Sequence, residues 1–205
     1  MAKLLFEASS SPLRMSALPR QVDLNYLRDE LEALDTATEI DGRERARVGA
    51  IDAEGKVEFL GARVLGDEVS VSIPDVPGTQ PYFHMHTHAQ DAPFSPSDLM
   101  FLLAGRREGG VIASCLATPS QLLLAIRTSE TPSLSPRERV LTAATLLHDY
   151  AGPERGLRDD AVGSPPPSAA TTSARRMFGL IRAAADFRIG LYAGGRASGV
   201  LTLVS

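Results

Sequence analysis

The alternation of apolar and polar positions divides the first half of the chain into one helix and several strands. Leucines recur at helical spacing over residues 22–36, which predicts an amphipathic helix. Residues 36–42 are then expected to be a polar connection. Short alternating or β-branched segments follow, each closed by glycine or proline, and they predict a meander of antiparallel strands. These strands are expected at residues 44–51, 56–64, 68–73 and 82–88.

The second half of the chain has longer apolar runs and two further helical patterns after them. Two of the runs lack polar alternation, which is typical of central strands covered on both faces. The expected elements are helices at 96–106, 136–150 and 172–186, strands at 111–117 and 122–128, and a terminal hairpin of 187–193 and 200–205. The predicted fold class is therefore α+β in an α/β/α-like arrangement, with a mixed, mostly antiparallel sheet flanked by helices.

Composition suggests how the chain is organised around one core. Residues 1–21 are rich in serine and proline and are expected to be an irregular lead-in. Residues 22–150 carry the predicted core. Residues 151–171 contain four prolines and three glycines, a composition that buries too little apolar surface to offset ordering entropy, so they are expected to be a loop. Residues 172–205 are expected to add a helix and a hairpin that pack on the core.

The bulk composition excludes several classes of protein. The chain has 205 residues, which suits a single domain that needs no disulfide. Its one cysteine, Cys115, lies in an apolar run, so we expect a buried core thiol and a reducing, cytoplasmic environment. The net charge of −4 gives no general attraction to nucleic acid or to anionic membrane. No run of eighteen apolar residues exists, and no signal peptide or membrane span is expected.

Histidines are concentrated in one predicted strand. Of the four in the chain, His84, His86 and His88 occupy alternate positions, and Asp98 follows ten residues later. Side chains at alternate positions of a strand point to the same face. Burial of three imidazoles without partners would be costly, so a metal or catalytic role is favoured for at least two of them. Two imidazoles and a carboxylate leave room for a water on a metal ion.

The segment Ser95–Asp98 has a structural explanation as well as a chemical one. Serine at the N-cap, proline at the first helical position and an acid two positions later form a capping box. The pattern recurs at Ser135–Glu138, where no other chemical signal is present. The pattern at Ser95–Asp98 differs in its position, a short loop after the histidines. Asp98 is therefore predicted both to begin a helix and to bind the metal.

The histidine strand and the segment after it resemble a known family. An acid in an early strand, then His86-Thr87-His88, then Ser-x-x-Asp opening a helix, is similar to the JAB/MPN (JAMM) zinc metalloprotease family of prokaryotic type. The resemblance covers roughly residues 22–150. It implies a JAB/MPN-like, cytidine-deaminase-like core with Zn²⁺ held by His86, His88 and Asp98. Thr87 matches the hydroxyl residue of the motif, which favours His86 and His88 over a pair of His84 and His86.

The sequence departs from the family pattern at two places near the histidines. Ala89 stands where the family usually has proline, and six residues separate His88 from Ser95, one fewer than in the family. Pairing His84 with His86 instead gives one residue too many. His84 is therefore expected to neighbour the site or line it, and the choice between His84 and His88 as the partner of His86 stays open.

The resemblance also implies a hydrolytic mechanism. Glu44 is expected as the general base, with Glu39 as the alternative and a solvated charge among arginines as the structural explanation of Glu44. Ser95 is expected to donate a hydrogen bond to the oxyanion. The implied substrate is a peptide or isopeptide bond, with the C-terminus of a ubiquitin-like modifier as one candidate. The implied partner is therefore a protein or peptide.

Three other functions fit parts of the pattern. Two histidines and a carboxylate also hold iron(II) in non-haem oxygenases. A non-catalytic MPN-like binding or scaffold module would keep the fold, and the altered spacing between His88 and Ser95 would then reflect a decayed site. A DNA-linked role like that of RadC-like members is a third alternative, although the acidic net charge argues against a nucleic-acid partner.

Overall fold

The computed structural model describes residues 12–52, 56–68, 70–72, 81–104, 110–146 and 169–205. Within them the fold is α+β: eight strands form one open, mixed and mostly antiparallel sheet, with four helices packed against it. The strands are β1 Gln21–Asp23, β2 Arg45–Ile51, β3 Val57–Leu65, β4 Tyr82–Thr87, β5 Val111–Ala117, β6 Gln121–Arg127, β7 Ile189–Gly195 and β8 Val200–Leu203. The helices are α1 Arg28–Asp41, α2 Pro96–Leu103, α3 (residues 136–146, as far as it is described) and α4 Ala169–Asp186.

The strands do not follow one another across the sheet as a simple meander. Their order is β1-β8-β7-β6-β5-β4-β2-β3, and β4 and β5 are the one parallel pair among the described strands. The predicted meander is therefore wrong beyond the β2–β3 hairpin, because β4 pairs with β2 rather than with β3. A parallel pair needs a crossover, and α2 supplies it between β4 and β5. The strand predicted at 68–73 is also absent from the described residues 68 and 70–72.

The first helix begins and ends later than its pattern of leucines predicts. Residues predicted as its first turn instead form β1, which pairs with β8. Leu24 and Leu27 lie in the turns that precede the helix, and their side chains are buried. They therefore continue the apolar period without belonging to α1. The helix then continues through the expected polar connection. It ends at Gly42, whose positive φ of 71° suits glycine and whose N–H donates to the Thr38 carbonyl at 2.7 Å.

The core has two parts, one on each face of the sheet. Along β4, Phe83 and Met85 point into the cluster that includes α1, whereas His84 and His86 belong to the opposite face. That opposite face carries the cluster formed with α2, α3 and α4. Strands β5 and β6 contribute apolar side chains to both clusters, so the prediction of central, doubly covered strands is confirmed.

The C-terminal part of the chain extends the same sheet. The predicted terminal hairpin is confirmed, with Tyr192 opposite Leu203 in the β7–β8 pair. Helix α2 ends at Leu103, earlier than predicted. Parts of several predictions lie outside the described residues, namely 1–11 of the lead-in, 69 and 73 of the strand predicted at 68–73, 105–106 of the second predicted helix, 147–150 of the third and 151–168 of the loop. No helix in the described residues has the length and apolar character needed to cross a membrane.

Candidate metal centre

The histidine strand is an inner strand of the sheet and is paired on both sides. In β4, His86 is opposite Ala46 of β2 and Leu116 of β5. His88 follows the end of the strand, and its N–H donates to the Ala117 carbonyl at 2.9 Å. The hydroxyl of Thr87 faces the other side of the sheet, 2.7 Å from that of Thr38 in α1. The backbone around the two histidines is therefore held from both neighbouring strands and from α1.

Asp98 approaches the histidines from the first turn of α2. The predicted capping box is confirmed: the Ser95 N–H donates to Asp98 Oδ2 at 2.7 Å, and the Asp98 N–H donates to Ser95 Oγ at 3.2 Å. The other carboxylate oxygen, Oδ1, lies 3.4 Å from His86 Nε2. The capping box fixes the carboxylate without using both of its oxygens, so the structural and chemical roles of Asp98 are compatible.

Three donor atoms converge in this place. One ligand atom from each of His86, His88 and Asp98 lies within 4.8 Å of the other two, as a metal site requires. Both ring nitrogens of His86 are buried and have no hydrogen-bond partner among the described residues. His88 Nδ1 lies 2.9 Å from the Ala92 carbonyl oxygen, which can accept but not donate. Nδ1 is therefore the protonated nitrogen, and Nε2 presents its lone pair to the group.

Burial and the neighbouring charges favour the protonation states that metal binding needs. Burial would raise the pKa of Asp98, but the imidazoles of His86 and His88 and the hydrogen bond from Ser95 hold it well below its usual range. Burial lowers the pKa of His88, and His86 lowers it further. At neutral pH the site therefore offers a carboxylate and a neutral His88 imidazole.

Glu44 reaches the same place from the start of β2. Because Ala46 is opposite His86 in an antiparallel pair, the residue two positions earlier lies beside His88 on the same face. Glu44 Oε1 is 3.7 Å from His88 Nε2, and the side chain is buried. The Glu44 N–H donates to the Asp67 carbonyl at 2.7 Å, which fixes its backbone. Burial is the main cause that raises the pKa of Glu44 to about 7.

The structure separates the alternatives that the sequence left open. Glu39, the alternative to Glu44, has a side chain that is 63% exposed and lies 3.6 Å from Arg196, away from the histidines. His84 is buried but lies outside the group of converging ligand atoms. Its ring stacks on that of His86 with centroids 4.9 Å apart, and its Nδ1 is 3.1 Å from Ser114 Oγ.

The group of ligands opens into a cleft of about 680 Å³. Ser95 lines the cleft, so all the predicted site residues are brought together there. The sequence did not indicate several other residues that line the cleft. Glu68, residues 70–72, Phe101 and Arg176 also line it. Phe101 could have been found, because it is one helical turn after Asp98, but no sequence signal links the α4 residue Arg176 to the site.

Sequence reasoning also missed how the loop between the ligands is held. Asp91 Oδ1 accepts hydrogen bonds from Thr118 Oγ1 at 2.8 Å and from the N–H and hydroxyl of Ser120, both at 2.9 Å. The Asp91 carbonyl accepts one from Ser173 Oγ of α4 at 2.9 Å. The next residue is Ala92, whose carbonyl fixes the His88 ring. Asp91 therefore ties the ligand loop to the β5–β6 turn and to α4.

Comparisons with known proteins leave the functional argument to the site itself. No protein-family model, curated protein or solved structure matches the chain. What the geometry supports is a group of His86, His88 and Asp98 that could bind a metal ion, with Glu44 beside it.

Proposed function

We propose that this chain is a zinc-dependent hydrolase of peptide or isopeptide bonds, of the JAB/MPN (JAMM) type. The observation that carries the proposal is the position of Glu44. A buried carboxylate with a raised pKa lies 3.7 Å from a ring nitrogen that presents its lone pair to two other metal-ligand candidates. This is the arrangement that a metal-assisted hydrolase needs, because its general base must lie within reach of the activated water.

The donor set fits zinc. His86, His88 and Asp98 would supply two neutral nitrogens and one carboxylate oxygen, and the cleft leaves the remaining position to water or substrate. Bound zinc would supply Lewis acidity, which lowers the pKa of water to about 7 and polarises a carbonyl oxygen.

The residues of the chain would then handle the proton and the developing charge. Glu44 is placed to accept the proton of the attacking water and to return it to the leaving amine. Ser95 Oγ accepts the N–H of Asp98, and its hydroxyl still carries one hydrogen that can be donated. Since Ser95 lines the cleft, that hydrogen can stabilise an oxyanion while Ser95 still caps α2.

The neighbourhood of the ligands favours this function over the alternatives. An iron(II) oxygenase uses the same two histidines and carboxylate, but its chemistry does not call for a second, buried carboxylate beside them. A scaffold module gains nothing from keeping Glu44 buried, because burial of a carboxyl group costs stability. The order of elements supports the proposal in the same way: α2 follows the histidine strand and carries Asp98 in its first turn, and helices pack on both faces of one mixed sheet.

Hydrolysis by matched variants tests the proposal. Zinc-loaded protein is incubated with a pool of peptides and with a ubiquitin-like modifier fused through its C-terminus, and new termini are identified by mass spectrometry. Wild type should cleave, Glu44→Gln should keep its zinc and lose cleavage, and Glu39→Gln should behave as wild type. Equal activity of Glu44→Gln and wild type, or iron with oxygen-dependent turnover, would contradict the proposal.

A further inference from the structure

A further buried polar group lines the same cleft as the ligands. His84 lines the cleft and is 1% exposed. Its Nδ1 is taken by Ser114, and its Nε2 is buried with no hydrogen-bond partner among the described residues. A buried polar atom without a partner is rare in folded proteins, because it loses its hydration and gains nothing in return. The ring nitrogen is therefore available to a partner that enters the cleft.

The surroundings of His84 restrict what that partner can be. The ring is stacked on His86 on one side, and the partly exposed Phe101 ring lies 6.1 Å away between centroids. These walls suit a group with an apolar stem and a polar end. The ring distance of 4.9 Å from His86 puts this pocket directly beside the ligands, where the residue next to a reacting bond would lie.

The charges of the cleft favour an uncharged group at this position. Of the described residues that line the cleft, Glu44 and Asp98 are committed to the metal and its water, and Glu68 and Arg176 are exposed. A charged side chain buried against His84 would therefore lose its hydration and find no uncommitted side chain of opposite charge buried beside it. An uncharged carboxamide or hydroxyl loses much less and can hydrogen-bond the ring nitrogen.

We propose that His84, Phe101 and Ser114 form a specificity subsite for an uncharged hydrogen-bonding side chain, glutamine or asparagine above all and serine or threonine next. In the proposed hydrolase, on which this inference rests, the subsite takes the residue beside the bond that is cleaved. Ser114 holds the His84 ring by its Nδ1, and Nε2 makes the hydrogen bond to the substrate. The subsite would therefore distinguish a hydrogen-bonding side chain such as glutamine from an apolar side chain of the same size.

Matched peptide substrates test the subsite in the zinc-loaded protein. The peptides differ at one position beside the cleaved bond, which is glutamine, leucine or glutamate. Wild type should favour glutamine over each of the other two by on the order of tenfold or more in kcat/KM, the usual effect of leaving a buried partner unpaired. His84→Leu should abolish or invert the preference over leucine, and His84→Gln should restore part of it. A preference that His84→Leu leaves unchanged, or no preference in wild type, would overturn the inference.

A binding measurement separates this inference from the hydrolase proposal. In protein labelled with ¹⁵N-histidine, millimolar N-acetylglutamine methylamide should shift the His84 ring resonance, whereas the leucine analogue should not. The Ser114→Ala variant should weaken the response to glutamine, because the ring is then no longer held by its Nδ1. A shift in a protein that cleaves no peptide would retain the subsite and reject the hydrolase. Identical spectra with both probes would reject the subsite even in an active hydrolase.

Discussion

Glu44 Oε1 lies 3.7 Å from His88 Nε2, because the first residue precedes β2 and the second follows β4 in an antiparallel pair. The register that puts Ala46 opposite His86 also brings these two side chains to one face of the sheet. The pairing of strands is therefore what adds a carboxylate to the group formed by the histidines and Asp98. The proposed chemistry depends on this relationship.

Removal of the Glu44 charge should stop catalysis without removing the metal. Glutamine keeps the size of the side chain but cannot accept the proton, so kcat of Glu44→Gln should fall by roughly 10²- to 10⁴-fold. Zinc content, measured by elemental analysis after dialysis, should equal that of wild type, because Glu44 is not among the converging ligands. Loss of zinc together with activity would make Glu44 a ligand rather than the base.

Asp91 should set the metal affinity through the loop that it holds. Asp91→Ala removes the hydrogen bonds to Thr118 and Ser120, so the Ala92 carbonyl no longer fixes the His88 ring. The zinc affinity should fall by about 10- to 100-fold, as for the loss of other groups that orient a ligand. Competition with a chromophoric chelator measures the affinity.

The control for Asp91 is a carboxylate with no contact to the site. Asp29 is exposed in the first turn of α1, so Asp29→Ala should leave the zinc affinity unchanged. Cobalt substitution adds a spectroscopic check: the d–d spectrum should change in Asp91→Ala and not in Asp29→Ala. Equal affinities and spectra for both variants would show that Asp91 has no part in positioning His88.

The observed bounds of α1, and the face that the helix buries, lead to a prediction about stability. Leu34 is fully buried and Ile40, in the same helix, is 80% exposed. Leu34→Ala should lower the free energy of unfolding by about 2–5 kcal/mol, since it leaves a cavity in the core. Ile40→Ala should change it by about 0.5 kcal/mol or less. Urea denaturation followed by circular dichroism measures both free energies. Comparable losses of stability in the two variants would contradict the observed burial of α1.

Cys115 should be chemically inert in the folded protein. The thiol is fully buried, and burial raises its pKa from 9.0 to about 12. Because the thiolate is the reactive form, the native protein at pH 8 should not react with a disulfide reagent such as dithionitrobenzoate. One equivalent should react after denaturation in guanidinium chloride. Rapid labelling of the native protein would place Cys115 at the surface or in a reactive site.

The sequence was sufficient for those parts of the fold whose signals are local. The capping box at Ser95–Asp98 and the β7–β8 hairpin were predicted from adjacent residues and are confirmed. The pairing of β1 with β8 and of β4 with β2 joins segments that are distant in the chain, and no local pattern specifies it. The start of α1 was misplaced because Leu24 and Leu27 are buried at helical spacing without belonging to the α-helix.

The candidate site divides in the same way. The spacing of His86, His88 and Asp98 shows in the sequence, because one strand and one helix start bring them together. The choice of Glu44 over Glu39 needed the register of β2 against β4. Arg176 lines the cleft because α4 packs beside it, and no pattern near the histidines predicts that packing.

Zinc binding by single-histidine variants tests the central claim most directly. Wild type, His86→Ala and His84→Ala are dialysed against equal free zinc, and the zinc per chain is measured by elemental analysis. Wild type and His84→Ala should each bind one equivalent, whereas His86→Ala should bind substantially less, because His86 belongs to the group of converging ligand atoms and His84 lies outside it. A wild type that binds no zinc, or a His84→Ala variant that loses it while His86→Ala retains it, would contradict the assigned metal site.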